Sequence, residues 1–184
     1  MPIQYLKSEL IYESRAFKVK RDTVRMPDGR LAHYDVVEHV AAVTLVPVDL
    51  AGNMYFVRQY RSGLHDLLLE LPAGILNAGE EPETCAKREI REEIGQAAGK
   101  IEPIGEVYLS PGYSTEYMYF FLATELFPSP LEQDEDEFLD IETIPVDQVY
   151  TLAEAGSLKD GKTLAALLLA RPRLKALFPG LFSS

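Results

Sequence analysis

At 184 residues, 47% hydrophobic and 26% charged, the chain has enough apolar material for one compact domain with a modest extension, and too little length for two independent cores. A net charge of −11, from 29 acidic against 18 basic residues, excludes general nucleic-acid affinity, and no apolar run approaches the ~20 residues of a membrane-spanning helix. Cys85 is the only cysteine, which excludes an intrachain disulfide framework and a thiolate metal cluster, and the N-terminus lacks the apolar core of a signal peptide, so a cytoplasmic protein is expected.

Residues 8–38 read as short antiparallel strands. Met26-Pro27-Asp28-Gly29 is a turn signal between the alternating segments Phe17-Lys18-Val19-Lys20 and Ala32-His33-Tyr34-Asp35-Val36. Such a ribbon is marginal alone and needs something to pack against. Residues 40–48 form a near-continuous, β-branched apolar run, the mark of a buried strand; Ala51-Gly52-Asn53 turns the chain and residues 54–59 return. A short strand over 67–71 stops at Pro72. Residues 79–95 read as a helix preceded by a loop: Pro82 suits its first turn, Glu80, Glu81 and Glu83 suit its N-terminal dipole, and Gly95 is a natural stop. Strands follow over 107–109, 116–123 and 138–144, then helices over 146–154 and 162–170. The chain is therefore expected to be mixed α/β, with residues 1–39 as an N-terminal β ribbon and residues 40–184 as the main domain.

The chemistry lies in the mid-chain helix. Glu89, Glu92 and Glu93 stand at i, i+3 and i+4, so their carboxylates share one face, while Ala86, Ile90 and Ile94 form a neighbouring stripe that can bury on a sheet. Like charges so placed repel unless cations sit among them, and hard oxygen donors in this number suit magnesium or manganese rather than zinc. A solvated acidic face, partly neutralised by Arg88 and Arg91, is the plain alternative.

Spacing separates the two. Gly74, Glu80, Arg88, Glu89, Ile90, Glu92, Glu93 and Gly95 fit the pattern G-x5-E-x7-R-E-U-x-E-E-x-G-U, where U is bulky and aliphatic; only the last position departs, with Gln96. On these residues the chain resembles the Nudix hydrolases. The resemblance implies an α/β/α sandwich with a mixed sheet, preceded here by the small antiparallel ribbon. It implies a divalent metal, Mg2+ or Mn2+, held by Glu89, Glu92, Glu93 and the carbonyl of Ala73. Arg88 would orient a carboxylate, either Glu80 or a box glutamate, through a bidentate bond. Gly74 would supply backbone freedom or leave room for a pyrophosphate.

Further segments resemble the ADP-ribose pyrophosphatase branch: Arg58-Gln59-Tyr60-Arg61 before the box, Glu70-Leu71-Pro72-Ala73-Gly74 leading into it, and Ser110-Pro111-Gly112 after it, followed by Glu116. The implied roles are phosphate contacts from Arg58 and Arg61, a substrate contact from Glu70, a ribose loop shaped by Pro111 and Gly112, hydrogen bonds from the terminal ribose to Glu116, and adenine stacking on an aromatic such as Phe17. In the acidic run 132–137, Glu135 or Glu137 would activate water, unless a box glutamate does so. The expected reaction is hydrolysis of ADP-ribose to AMP and ribose 5-phosphate by a homodimer whose ribbons exchange, with no nucleic-acid or membrane partner. The rivals are the same chemistry on GDP-mannose or a dinucleotide, a catalytically idle ligand-binding regulator, and an isomerase of the same fold.

Overall fold

The computed structural model describes residues 2–132 and 138–182. In chain order the elements are β1 Gln4–Glu13, β2 Lys18–Arg25, β3 Leu31–Glu38, β4 Ala42–Pro47, β5 Asn53–Arg61, β6 Asp66–Glu70 and β7 Ala73–Ile75. They continue with α1 Pro82–Ile94, β8 Gln96–Tyr108, β9 Tyr117–Pro128, β10 Asp140–Pro145, α2 Val146–Glu154, α3 Gly161–Leu177 and a 3-10 turn, Pro179–Phe182. The chain divides into two compact units, Met1–Ala41 with Val107–Tyr117, and Ala42–Glu106 with Met118–Ser184.

The first unit is a three-stranded antiparallel sheet in the order β1-β2-β3. The turn between β2 and β3 closes as its residues dictate. Gly29 takes a left-handed φ of 89° and donates its N–H to the Met26 carbonyl at 2.9 Å, a conformation open to glycine at no steric cost. Arg21 and Asp35 pair across the strands through two bonds of 2.7 and 3.0 Å. The sheet starts four residues earlier than the ribbon expected from residue 8, because Tyr5 and its neighbours find a register on Val24 and the rest of β2. Residues 107–117 join this unit through paired bonds, Val37 N–H to Tyr113 O at 2.7 Å and Thr115 N–H to Val37 O at 3.0 Å.

The second unit is built on a mixed sheet in the order β7-β4-β9-β8, with β4 parallel to β9 and antiparallel to β7. All six residues of β4 are buried, as expected of a strand covered on both faces. Cys85, Ala86, Ile90 and Ile94 of α1 pack on Val43 and Leu45 of β4 and on Phe121 and Ala123 of β9. Each large side chain so buried contributes roughly 1.5–3 kcal/mol relative to exposure. This seam fixes the rotation of α1, and thereby the direction of its carboxylates. A second, antiparallel sheet has the order β10-β5-β6.

Three further differences from the sequence reading bear on the packing. β8 runs from Gln96, where a strand was expected only over 107–109; Gly99, Pro103 and Gly105 interrupt its pattern, and β9 beside it supplies the order. β7 was not expected, being three residues long and held by its pairing to β4. α3 continues past the expected stop at residue 170 and through Pro172, because Ala170 and Leu174 are both fully buried on either side of the proline.

Candidate active site

α1 presents its carboxylates beside β7. Pro82 opens the helix, and Gly95 ends it at φ 67° with its N–H on the Ile90 carbonyl. Glu89 and Glu93 retain only 7% and 2% of their exposure, an unusual burial for two acids one helical turn apart. Glu93 Oε2 accepts the Ala73 N–H at 2.9 Å. Glu89 lies against Gly74, where a Cβ built on the backbone would fall 1.9 Å from its carboxylate. No left-handed backbone sets this requirement for glycine; Gly74 makes room for the Glu89 side chain.

Arg88 organises the cluster, as the resemblance implied, and does so more widely. Its Nε and Nη2 grip Glu80 at 3.0 and 2.9 Å, Nη1 reaches Glu89 at 2.6 Å and Glu92 at 2.8 Å, and Nη2 also donates to the Ile75 carbonyl at 3.2 Å. The guanidinium beside Glu80 holds that carboxyl at about 2, helped by the Asn77 N–H, so Glu80 stays ionised throughout the neutral range. The same carboxylates raise the pKa of Arg88, Glu80 most of all. Arg91 takes a different part, donating to the Ser129 carbonyl at 3.0 Å. Cys85 is fully buried, and burial pushes its thiol up to about 12, so it packs as a small apolar residue and offers no nucleophile for isomerase chemistry.

Among the described residues no three acidic, histidine or cysteine side chains close on one point as a finished cation cage. Arg88 draws Glu89 and Glu92 toward itself, while Glu93 turns to Ala73. The donor set nevertheless fits a hard divalent cation. Three carboxylates share the single positive charge of Arg88, leaving two formal negative charges on a largely buried face, with Glu93 adjoining it on the same helix. A cation offsets that excess better than water does.

Arg58 and Arg61, expected to reach phosphate, are both paired to carboxylates. Arg58 Nε donates to Glu142 at 2.6 Å across β5 and β10. Arg61 forms a fork on Glu70, both bonds 2.6 Å long, while 42% of its side chain stays exposed. Its guanidinium is held charged first by Glu70, with further support from Asp160 and Glu93. Glu70, at 1% exposure, is an internal anchor held by Arg61. Its second cationic partner, Lys162, and the neighbouring Asp160 and Thr163 escaped the sequence reading. Asp160 is the N-cap of α3, and nothing local ties it to a residue on β6.

The other expected substrate residues belong to the first unit. Phe17 is exposed beside Tyr12, ring centroids 6.3 Å apart, and lines a surface groove with Ser14, Lys18, His39 and Val40. Pro111 and Gly112 are exposed in the turn that Tyr113 N–H closes on Ser110 O at 3.1 Å. Glu116 is half-buried, its N–H held by Ser114 Oγ at 3.1 Å. Glu135 and Glu137 lie outside the described residues.

Comparison with known proteins extends these observations. A family model described as NUDIX domain matches residues 38–167, and one described as nucleoside diphosphate sugar hydrolase N-terminal domain matches residues 3–37. The ADP-ribose pyrophosphatase of Bacillus subtilis (strain 168) is 34% identical over 164 residues, covering 88% of this chain and 89% of its own. The GDP-mannose pyrophosphatase of Yersinia pestis (strain Pestoides F) is 34% identical over 130 residues, covering 65% of each. A crystal structure of an ADP compounds hydrolase is similar with a TM-score of 0.86 and 26% identity, over 96% of both chains. With the acidic face of α1, its arginine clamp and a family match spanning most of its length, the chain belongs to the Nudix hydrolase family.

Proposed function

We propose that this Nudix pyrophosphatase hydrolyses ADP-ribose to AMP and ribose 5-phosphate, with Mg2+ or Mn2+, as a homodimer. The observation that carries the reading is the set of carboxylates on α1, packed against β7 and clamped by Arg88. Similarity to an ADP-ribose pyrophosphatase along both the N-terminal sheet and the main domain favours that substrate; similarity to the GDP-mannose pyrophosphatase covers a shorter part of the chain.

Glu89, Glu92, Glu93 and the Ala73 carbonyl would hold the cation, which when bound lowers the pKa of water and neutralises charge on the pyrophosphate. Arg88 keeps Glu89 and Glu92 on one side of the helix. The Ala73 N–H fixes the carboxylate of Glu93, and Gly74 leaves Glu89 its place. A carboxylate must take the proton from the attacking water; Glu93, Glu135 and Glu137 are the candidates. Arg61, anchored by one edge on Glu70, has exposed side chain with which to meet a phosphate oxygen.

A substrate panel tests the reading, with AMP and ribose 5-phosphate resolved by chromatography. ADP-ribose should give the highest kcat/KM, EDTA should abolish turnover, and Mg2+ or Mn2+ should restore it. Preference for GDP-mannose or a dinucleotide would overturn the substrate. If Glu116 grips the terminal ribose, Glu116→Ala should lower kcat/KM for ADP-ribose by roughly ten- to a hundred-fold more than for a diphosphate with another terminal group, as the loss of a charged hydrogen bond at ~1.5–3 kcal/mol implies. Equal losses would make Glu116 a general support of the site.

The dimer rests on the first unit. Every residue of β1 is exposed, Tyr5, Leu10, Ile11 and Tyr12 among them, and an apolar strand in that condition invites a partner. Sedimentation should return about twice the 20.6 kDa chain mass. A fully active monomer would exclude exchange of the N-terminal sheets as a requirement for catalysis.

A further inference from the structure

The segment of residues 70–74 holds both buried glutamates of α1, and something must hold that segment. Glu70 at its start is gripped by Arg61 and by Lys162, the latter also bonded to Asp160 at 2.9 Å. The Leu71 N–H donates to Thr163 Oγ1 at 2.9 Å, and that hydroxyl in turn donates to Asp160 Oδ2 at 2.6 Å. Asp160 Oδ2 also caps α3 by accepting the Thr163 N–H at 3.0 Å. Thr163 is fully buried, so this acceptor cannot be replaced by bulk water. Pro72 follows, with φ fixed by its ring and its carbonyl held by the Leu45 N–H at 2.9 Å. Ala73 comes next, and its N–H fixes Glu93; Gly74 then receives Glu89.

We infer that Thr163, backed by Asp160 at the start of α3, is a positioning residue for the carboxylate face of α1: it sets the Leu71 backbone, and through the stiff Pro72 link the Ala73 N–H that orients Glu93. The relay runs from Asp160 to Thr163, to the strand segment, to Glu93. Thr163 is fully buried, with no surface to offer a substrate, and sits on α3 rather than α1. Its influence differs from that of a core residue, because what it fixes is the direction of one N–H. The inference rests on the reading of α1 as a divalent-cation site.

The test is Mn2+ binding by isothermal titration without substrate, run beside kcat, KM and thermal unfolding. Thr163→Val keeps the shape and removes the hydroxyl; Thr163→Ser keeps the hydroxyl. Outer supports of metal ligands typically count for ten- to a hundred-fold, so Thr163→Val should weaken Mn2+ binding and lower kcat by about tenfold or more, with KM for the pyrophosphate substrate within about threefold. Thr163→Ser should restore both to within about threefold of the parent. Parental Mn2+ affinity in a folded Thr163→Val protein, whatever its melting temperature, overturns the relay. If Thr163→Val does not fold, Asp160→Ala decides: it removes the acceptor that orients the Thr163 hydroxyl, and unchanged Mn2+ affinity there overturns the relay equally. A parent protein that takes no Mn2+, or whose affinity survives Glu93→Gln, overturns the cation reading itself and the relay with it.

Discussion

Replacing Glu93 with glutamine is expected to lower kcat at least about a hundredfold, close to 2.7 kcal/mol of barrier, while the melting temperature moves by only a few degrees. The two outcomes separate because the side chain does two things. It accepts the Ala73 N–H, and the carbonyl oxygen of glutamine can accept the same bond. It also brings a negative charge to a site that is 2% exposed, and glutamine cannot. On the proposed cation reading, losing the charge would remove a hard ligand and affect every diphosphate substrate alike, because the cation would act on the pyrophosphate they share. Steady-state kinetics on ADP-ribose and one second substrate, with thermal unfolding, give the answer. Turnover close to the parent's would remove Glu93 from the cation site.

Gly74→Ala should be nearly as damaging, for a steric reason. The new methyl requires the volume held by the Glu89 carboxylate, 1.9 Å from the position of the added carbon. That carboxylate ends a flexible side chain, so it can swing aside, and the fold should survive at a cost of about 1–3 kcal/mol typical of overpacking. Swinging aside breaks the 2.6 Å bond to Arg88 and would take a proposed ligand out of place. A fall in kcat of roughly ten- to a hundred-fold is the expected result, with weaker activation by Mg2+. A Gly74→Ala enzyme with parental kcat and Mg2+ dependence would mean that Glu89 works from more than one position.

Local spacing carried α1. Pro82, the i, i+3, i+4 glutamates and Gly95 are cues within one helix, so its existence, its buried stripe and its acidic face could be read from residues alone. The same is true of the turn at Gly29 and of the buried strand β4, whose apolar run is interrupted only by Thr44. What escaped depends on distant partners. Arg58 and Arg61 look like free cations in the sequence, and only folding sets Glu142 beside one and Glu70 beside the other. The pair Lys162–Glu70 joins residues 92 positions apart, with no periodicity to announce it. Residues 96–106 of β8 were missed for the converse reason: their glycines and proline argue locally against a strand that the sheet imposes.

One guanidinium serving Glu80, Glu89 and Glu92 also has a consequence for how variation in this chain is to be interpreted. Substitutions at these four positions are thermodynamically coupled, so their effects will not sum. The first change releases Arg88 toward the partners that remain, and the second acts on a rearranged set, which makes the background decide its sign. Lysine at position 88 offers a single ammonium with no planar fork, and cannot span the same three acids. Sequence drift here is constrained to steps that change several members together, and double-mutant cycles among them would register as epistasis while single substitutions would overstate each residue's share.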